Sequence, residues 1–311
     1  MINYFHPLIT IAIPTYNRAD GYLRQAITCA VKQTYPNIEI IIADNCSTDN
    51  TETVVKNFND SRIRYFRHET NIGPIKNTNF CLDVASGNYF LLLHDDDSID
   101  DDFVESCMKA ANHSTDIGLI RTGVRRIDSQ GKILGGRLNM AGGLSTEEFF
   151  VAFLSRKVSM LLCSMLFNTK RLKEVGGFHS IYLHWDDVYA GMQMAARFGR
   201  VDVKDIKASF RRHTSQTTFN VNIREWVEDA IFLLNAMCDL VPQKKSLIRN
   251  LGMQYFARHS YEIASNIRSP LRRFLANLIV FKEFKYRHLP PAIHTIFSHT
   301  PLPYILKSIG R

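Results

Sequence analysis

Short apolar runs alternate with amphipathic segments along the first third of the chain. Runs bounded by turn residues predict buried strands, whereas apolar residues that recur with a period of about 3.6 predict helices. The predicted strands are 8–13, which Pro14 ends, Ile38–Ala43, Ile63–Phe66 and 89–93. The predicted helices are 20–33, a segment through Val54 and Phe58, and 75–85. This alternation favours an α/β fold with a mostly parallel sheet flanked by helices.

The pattern becomes less regular after residue 115. One helix is predicted near 185–198. Short strands are predicted at Gly118–Thr122, Lys132–Leu134, Leu161–Phe167 and Val201–Val203. From residue 223 onward the apolar stripes are helical. We therefore expect two domains, an α/β domain over 1–219 and a helical C-terminal region over 220–311.

The composition is that of a globular protein, but the charge is unevenly distributed. Of 311 residues, 45% are apolar and 22% are charged, and the formal net charge is +8. Residues 220–311 hold 13 Lys and Arg against 6 Asp and Glu, whereas residues 1–219 hold 25 against 24. A basic segment predicts an anionic partner, such as nucleic acid, anionic lipid or a charged polymer. No nucleic-acid-binding motif is visible, so nucleic acid is not expected.

The cysteines and the apolar runs help to predict the cellular compartment of the protein. The six cysteines form no C-x-x-C pair, which predicts reduced core thiols and no zinc site. No signal-peptide pattern is visible, and no run reaches the roughly 18 apolar residues of a membrane span. We expect a cytoplasmic protein that associates peripherally with the inner face of a membrane through its basic C-terminal region. The segments Leu271–Leu275 and Phe281–Tyr286 indicate either an interfacial helix or a helix packed on the catalytic domain.

Groups that can bind ligands cluster just after three of the predicted strands. They are the segments Pro14–Arg18 and Asp44–Asp49 and the acidic triplet Asp95–Asp97. Because ligands of parallel α/β sheets bind beyond the carboxyl ends of the strands, we expect these groups to converge on one cleft. Adjacent carboxylates suit Mg²⁺ or Mn²⁺, which in turn bind phosphates. The alternative interpretation of the triplet is a solvated acidic turn that begins a helix.

An ordered set of short motifs extends over roughly residues 7–216. The motifs are Ile13–Arg18, Ile42–Thr51, Asn71–Gly73, Gly87–Tyr89, Asp95–Asp97, Val175–Phe178, Trp185–Asp187 and Arg212–His213. In this order they resemble the signatures of family 2 glycosyltransferases with the GT-A fold. The resemblance implies an inverting enzyme that moves a sugar from a nucleotide-diphosphate donor to a hydroxyl of a glycan or lipid-linked acceptor. It also implies a divalent metal, Mn²⁺ or Mg²⁺, and a role in bacterial surface polysaccharide or glycoconjugate synthesis.

The resemblance assigns the donor-binding roles. The residues implied to hold the nucleotide sugar are Pro14, Thr15, Tyr16, Arg18, Asp44, Lys76, Asp95 and Arg212. The implied metal ligands are Asp96, Asp97 and His213. His94 stands where the family commonly has the first Asp of its acidic motif, so the choice of metal ligands among the three carboxylates stays open. For Asp44, the alternative is a helix cap, although Ser47 or Asp49 could provide that cap instead.

Inversion at the anomeric carbon needs one base that deprotonates the acceptor hydroxyl. Asp187 matches the base of the family, and Asp186 is the fallback because sequence cannot separate two adjacent acids. The alternative for this pair is capping of the helix that follows. The implied acceptor-binding residues are Gly177, Phe178 and Trp185. For Phe178, a position in the core is an equal alternative.

Two other functions fit an α/β nucleotide-binding fold. A nucleotidyltransferase that makes an activated sugar usually carries a Gly-rich basic loop after its first strand, where this chain has Pro14–Arg18. A non-catalytic sugar-nucleotide-binding protein would be favoured by loss of the acids, yet the strand-end acids and Asp187 are present. The sequence leaves the donor sugar, the acceptor linkage and the oligomeric state open.

Overall fold

The computed structural model describes residues 6–19, 21–213 and 222–285. The chain divides into two compact units, Met1–Thr214 and Ser215–Arg311. The sequence-based prediction places the division between residues 219 and 220. Each unit is described by itself.

One mixed sheet forms the centre of the first unit. In the described residues its nine strands are β1 (Ile9–Thr15), β2 (Ile38–Asp44), β3 (Ile63–Arg67), β4 (Tyr89–Leu92), β5 (Ser98–Ile99), β6 (Leu119–Ile127), β7 (Ile133–Arg137), β8 (Met165–Asn168) and β9 (Arg200–Arg211). Their order across the sheet is β3-β2-β1-β4-β8-β6-β9-β5, and β7 pairs with β6. The helices of this unit are α1 (Tyr22–Val31), α2 (Thr51–Lys56), α3 (Pro74–Asp83), α4 (Phe103–Ala110), α5 (Thr146–Leu154), α6 (Thr169–Glu174) and α7 (Asp186–Phe198). The predicted α/β class is confirmed.

Strands β3, β2, β1 and β4 form the parallel half of the sheet. Every residue of β2 and β4 is buried, which explains why these strands are nearly continuous apolar runs. Thr15 and Asp44, the last residues of β1 and β2, are register partners. The segments that follow these strands therefore start at the same edge of the sheet.

Pro14 does not end β1, contrary to the sequence-based prediction. Strand β4 pairs with β1 only over Ile9–Ala12, so at Pro14 the strand is paired with β2 alone, through Ala43. Proline lacks the N–H that a second neighbouring strand would require, and it is tolerated where pairing is one-sided. The strand consequently continues to Thr15.

The other half of the sheet pairs mostly antiparallel, and only β6 and β9 run parallel there. Strand β9 extends from Arg200 to Arg211, far beyond the predicted Val201–Val203. The prediction was too short because charged residues interrupt the apolar pattern after residue 203. The longer β9 carries the chain directly to His213, whose contacts with the acidic triplet are described below.

Further local features of the middle section differ from the sequence-based prediction. The predicted strand Leu161–Phe167 begins as a 3₁₀ helix, Leu162–Ser164, and only Met165–Asn168 is extended. Helices α5 and α6 were not predicted, although the capping box of α5 is visible in the sequence. The Ser145 hydroxyl accepts from the Glu148 N–H, and the Glu148 carboxylate accepts from the Ser145 N–H. Such a cap typically stabilises a helix by about 1 kcal/mol.

The second unit contains three helices in its described part: α8 (Ile223–Leu240), α9 (Lys245–Ser265) and α10 (Pro270–Glu283). The three helices contact one another. A Cβ at Gly252 of α9 would overlap the Leu234 side chain of α8, so a glycine permits this close approach. The predicted helical character of this region is confirmed. Among the described residues, no helix has both the length and the apolar character needed to cross a bilayer.

Candidate active site

The acidic triplet Asp95–Asp97 forms a turn between β4 and β5, closed by a hydrogen bond from the Asp97 N–H to the His94 carbonyl at 3.1 Å. The next helix, α4, begins at Phe103, and its N-cap residue is Asp102. The triplet therefore caps no helix. Asp97 is 2% exposed, so the interpretation as a solvated turn is also wrong.

Asp95 joins the triplet to the end of β1. Its Oδ2 accepts a hydrogen bond from the Thr15 hydroxyl at 2.7 Å, and its Oδ1 lies 3.8 Å from Arg18 Nε. Burial raises the pKa of Asp95 to about 6, against the opposing effect of the Thr15 hydrogen bond. Three predicted donor-binding residues are thus in contact, and the arginine supplies a cation beside the carboxylates.

Asp96 joins the triplet to the end of β9. Its Oδ2 lies 2.8 Å from His213 Nε2, so two of the predicted metal ligands are hydrogen-bonded to each other. The His213 ring lies 5.3 Å from the Tyr22 ring of α1, measured between centroids. The His213 side chain is 5% exposed. The imidazole is therefore held between a carboxylate and an aromatic ring.

Asp97 is fixed by groups that the sequence did not single out. Its Oδ1 accepts from the backbone N–H of Arg211 at 2.9 Å, and the Cys163 thiol also hydrogen-bonds to it. Burial, and then the charge of Asp96, raise the pKa of Asp97 to about 7. The Arg211 guanidinium donates to the Asp96 carbonyl at 2.7 Å and lies over the Tyr22 ring. A basic residue at the end of a long strand gives no sequence signal for this role.

His94 completes a set of candidate metal ligands. Single ligand atoms of His94, Asp96 and Asp97 all lie within 4.8 Å of one another. Two carboxylate oxygens and an imidazole nitrogen are donors that a divalent metal of the Mn²⁺ or Mg²⁺ type accepts, and the carboxylates favour these hard cations. The residues present thus fit such a metal. The sequence marked His94 only as a missing Asp, although its position before the triplet was the available signal.

The ends of β1 and β2 are tied together beside Asp44. Asp44 is completely buried, and it accepts from the Ser47 N–H at 2.8 Å and the Tyr65 hydroxyl at 2.7 Å. The Asn17 N–H donates to the Ser47 hydroxyl at 2.9 Å, which links the loops after β1 and β2. Asp44 therefore organises this loop, and its contact with a nucleoside stays a prediction. It caps no helix, because the N-cap residue of α2 is Asn50.

The remaining predicted donor-binding residues differ in accessibility. The Tyr16 side chain is 45% exposed at the end of β1, next to half-buried Pro14. Lys76 lies exposed in the first half of α3. Arg212 is exposed after β9, where its N–H donates to the Ile127 carbonyl. An exposed aromatic ring and two exposed cations are open to a ligand, and their assigned roles stay predictions.

Asp186 and Asp187 open helix α7, whose N-cap residue is Trp185. Asp187 Oδ1 accepts from the Val188 N–H at 2.6 Å, and Asp186 accepts from backbone N–H groups of the same turn. Burial, and then the Asp187 charge, raise the pKa of Asp186 to about 7, and burial also raises the pKa of Asp187. The charge of His94 lowers both values, so this pair lies near the residue that precedes the triplet. A carboxyl with such a raised pKa can accept a proton near neutral pH.

One of the predicted acceptor-binding residues lies in the core. The Phe178 ring is fully buried and packs against the rings of Phe90 and Phe167, at 6.3 and 5.6 Å between centroids. This corrects the acceptor-binding role assigned to Phe178, because its ring has no surface to offer a ligand. Burying a phenylalanine typically stabilises a fold by about 1.5–3 kcal/mol, which accounts for an aromatic residue here.

The two other predicted acceptor-binding residues, Gly177 and Trp185, lie near the two ends of the segment that connects α6 to α7. Gly177 has a φ of 72°, and a Cβ there would lie 2.6 Å from Asn79 Oδ1. Asn79 of α3 hydrogen-bonds to both the N–H and the carbonyl of Phe178. Trp185 is 6% exposed. Gly177 thus permits a turn that α3 holds in place, and acceptor contacts of Gly177 and Trp185 stay predictions.

Comparison with known sequences decides the family. Residues 10–162, which contain β1, β2, β4 and the acidic triplet, match the sequence profile described as Glycosyl transferase family 2. These residues belong to glycosyltransferase family 2. The predicted resemblance is thereby confirmed for this part of the chain.

Curated relatives of this chain carry glycosyltransferase names. An uncharacterized glycosyltransferase of Rickettsia bellii is 33% identical over 181 residues, which are 57% of this chain and 26% of that protein. A GalNAc(5)-diNAcBac-PP-undecaprenol beta-1,3-glucosyltransferase of Campylobacter jejuni is 30% identical over 172 residues, 54% of this chain and 55% of that protein. The chain thus spans about a quarter to about half of the length of these relatives.

Solved structures confirm the fold. S. aureus TarS 1-349 superimposes with a TM-score of 0.61 at 16% identity, covering 89% of this chain and 88% of that chain. The mannosyltransferase PcManGT of Pyrobaculum calidifontis, solved with GDP-Man and Mn²⁺, gives a TM-score of 0.53 at 16% identity, covering 91% of this chain and 83% of that chain. At such identities the likeness establishes the fold alone, which is the predicted GT-A type.

Proposed function

We propose that the chain is a metal-dependent inverting glycosyltransferase that moves a sugar from a nucleotide-diphosphate donor to an acceptor hydroxyl. The observation that carries this proposal is a convergence of groups around residues 94–97. A cation, Arg18, and a histidine, His213, contact the acidic triplet from the segments that follow two different strands, β1 and β9. A second pair of acids, Asp186–Asp187, lies within the electrostatic reach of His94.

The donor half of the proposed site lies at the ends of β1 and β2. The exposed Tyr16 ring is available to stack on a nucleobase. Its sequence neighbours Thr15 and Arg18 contact the Asp95 carboxylate and hold it in position. Two similar structures support a nucleotide-sugar donor: TarS was solved with UDP-GlcNAc, and PcManGT with GDP-Man. We assign the donor to the class of nucleotide-diphosphate sugars on this basis.

The metal would be held by Asp96 and Asp97 together with His94 or His213. When bound, a divalent cation supplies a Lewis acid that stabilises the negative charge of the departing nucleoside diphosphate. The contacts of this chain keep the ligands in place: His213 holds Asp96, and the Arg211 N–H holds Asp97. The Mn²⁺ bound to PcManGT supports the assignment to a divalent metal.

Asp187 is the proposed base, with Asp186 as its close alternative. Inversion requires a group that removes the proton from the acceptor hydroxyl on the side opposite the leaving group. Burial raises the pKa of Asp187, which makes its carboxylate a better proton acceptor than an exposed aspartate. The C. jejuni relative is named for transfer to an undecaprenol-linked glycan, which supports a glycan or lipid-linked acceptor in surface glycoconjugate synthesis. A location at the inner face of the membrane follows from that acceptor class.

The decisive experiment is a screen of nucleotide-diphosphate sugars with the full chain. We expect one donor to raise the melting temperature and to release its nucleoside diphosphate in Mn²⁺ or Mg²⁺, and we expect EDTA to abolish both effects. The Asp96→Asn variant should lose the metal-dependent effect, whereas Asp116→Asn, which changes an exposed acid outside the site, should retain it. Donor binding that is insensitive to EDTA would refute the metal assignment, and absence of any donor binding would refute the function.

A further inference from the structure

Helix α10 has apolar side chains on two opposite faces. Ala276, Val280 and Phe284 are buried against the other helices of the second unit. On the other side, spaced by three and four residues, four large apolar side chains are exposed: Leu271 by 69%, Phe274 by 59%, Leu275 by 49% and Leu278 by 47%. A helix on a globular core needs only one apolar face, so the second face is available for a partner.

The surroundings of this exposed face are strongly basic. Arg272 lies within the apolar segment, and Lys282 follows Leu278 by four residues, on the same stripe of the helix. Arg273 lies on the side of Ala276 and Val280 and donates to the Ile267 carbonyl. All three basic side chains are exposed, as is Lys285 just beyond the helix. The acid in α10, Glu283, lies 4.0 Å from Arg224. The face therefore presents apolar side chains among positive charges.

We propose that the exposed face of α10 docks on an anionic lipid surface. The helix would lie in the membrane plane, with Leu271, Phe274 and Leu278 in the boundary between headgroups and acyl chains. Its 14 residues measure about 21 Å, which is shorter than the roughly 30 Å of a bilayer core, so the helix lies on the membrane without crossing it. The basic side chains extend toward the phosphates while their methylene groups cover apolar surface.

The charge pattern favours a lipid surface over a second copy of the chain. A two-fold contact through this face would bring the arginines and lysines of both copies together. Like charges at close range destabilise such a contact, whereas anionic headgroups neutralise the same side chains. Lipid is therefore the occupant that matches both the apolar and the basic part of the surface.

The test is cosedimentation of the full chain with vesicles. One set contains phosphatidylcholine alone, and the other contains phosphatidylcholine with about one third phosphatidylglycerol. We expect binding to the anionic vesicles only, weakened by high salt because screening reduces the attraction. Phe274→Glu should reduce the binding by about tenfold or more, since it replaces a large apolar side chain with a repelled charge.

A matched control lies in the same unit. Leu247 of α9 is 45% exposed, and Leu247→Glu should leave vesicle binding unchanged. A second variant, Arg272→Gln with Lys282→Gln and Lys285→Gln, keeps every apolar side chain and should also lose binding to anionic vesicles. The proposal is overturned if the parent protein fails to bind, if both vesicle types bind equally, or if both leucine and phenylalanine variants lose binding to the same extent. It is also overturned if light scattering shows that Phe274→Glu converts a dimer to a monomer while vesicle binding is unchanged.

Discussion

The two acidic clusters of the first unit are built in opposite ways. In the triplet Asp95–Asp97, each carboxylate has partners from other parts of the chain: the end of β1, the end of β9 and the backbone of Arg211. In the pair Asp186–Asp187, the hydrogen bonds come from the first turn of the helix that carries it. The triplet is thus held by hydrogen bonds from several segments of the chain, whereas the pair is held by hydrogen bonds from the N-terminal turn of α7.

This difference suits the two clusters to different tasks. A carboxylate that is fixed from several sides has a defined direction, which is what a metal or a phosphate-binding site requires. Burial raises pKa values in both clusters, so a raised pKa alone does not mark the base. Asp186 and Asp187 combine raised pKa values with hydrogen bonds from their own helix turn, the combination that we expect of a general base. We therefore expect substitutions in the triplet to weaken binding and substitutions in the pair to slow turnover.

The largest expected effect follows from removing the proposed base. Asp187→Asn should lower the turnover number by about 10²–10⁴-fold, because a carboxamide cannot accept the acceptor proton. Donor affinity in Mn²⁺ should stay within a factor of a few. The comparison is made with Asp186→Asn by steady-state kinetics and by donor titration. A larger loss in Asp186→Asn would move the base to that residue.

A smaller effect is expected from His213, which braces the triplet. His213→Ala should weaken metal-dependent donor binding by about 10–100-fold. The substitution removes an imidazole that either holds the Asp96 carboxylate in position or is itself a ligand of the metal. Binding is measured by calorimetric titration at several Mn²⁺ concentrations. His179→Ala, which changes a histidine beside Gly177, serves as the control. Unchanged donor binding in His213→Ala would show that the triplet works without this brace.

The smallest effect concerns the pH dependence of turnover. Because burial raises the pKa of both acids, the base is protonated and inactive at low pH, and the midpoint of the rise in turnover should lie above the ordinary aspartate pKa. The charge of Asp187 raises the pKa of Asp186, whereas burial raises that of Asp187, so with Asp187 as the base the midpoint should stay in place in Asp186→Asn. Turnover of both proteins is measured between about pH 4 and pH 9. A midpoint at the ordinary aspartate value, or one that shifts in Asp186→Asn, would contradict this assignment of the base.

The parallel half of the sheet could be predicted from sequence because its strands are buried on both faces. Ile38–Ala43 and 89–93 are therefore uninterrupted apolar runs, and the groups at their ends follow from topology. Strand β9 could not be predicted at full length, since its exposed charged side chains hide the strand pattern. Its last residues reach the triplet only through tertiary pairing with β5 and β6.

Side-chain direction limited the prediction of the site itself. Phe178 lies within a motif of the family, and its burial depends on how Asn79 and the neighbouring rings turn the segment. His94 occupies a position that a motif comparison marks as a substitution, although its imidazole lies within reach of Asp96 and Asp97. Both outcomes depend on distances between segments that are remote in sequence, which residue types alone do not determine.

Arg211 bears on how domains of this family can be recombined. Its side chain donates to the carbonyls of Asp96 and Asp128 and to Gln25 of α1. A chimaera that takes the early strands from one parent and β9 from another preserves this junction only if the arginine and its acceptors remain compatible. Lysine is no replacement, because its single ammonium cannot reproduce the fixed fork of a guanidinium. Crossover points placed after residue 213 would keep Arg211, His213 and their partners from one parent.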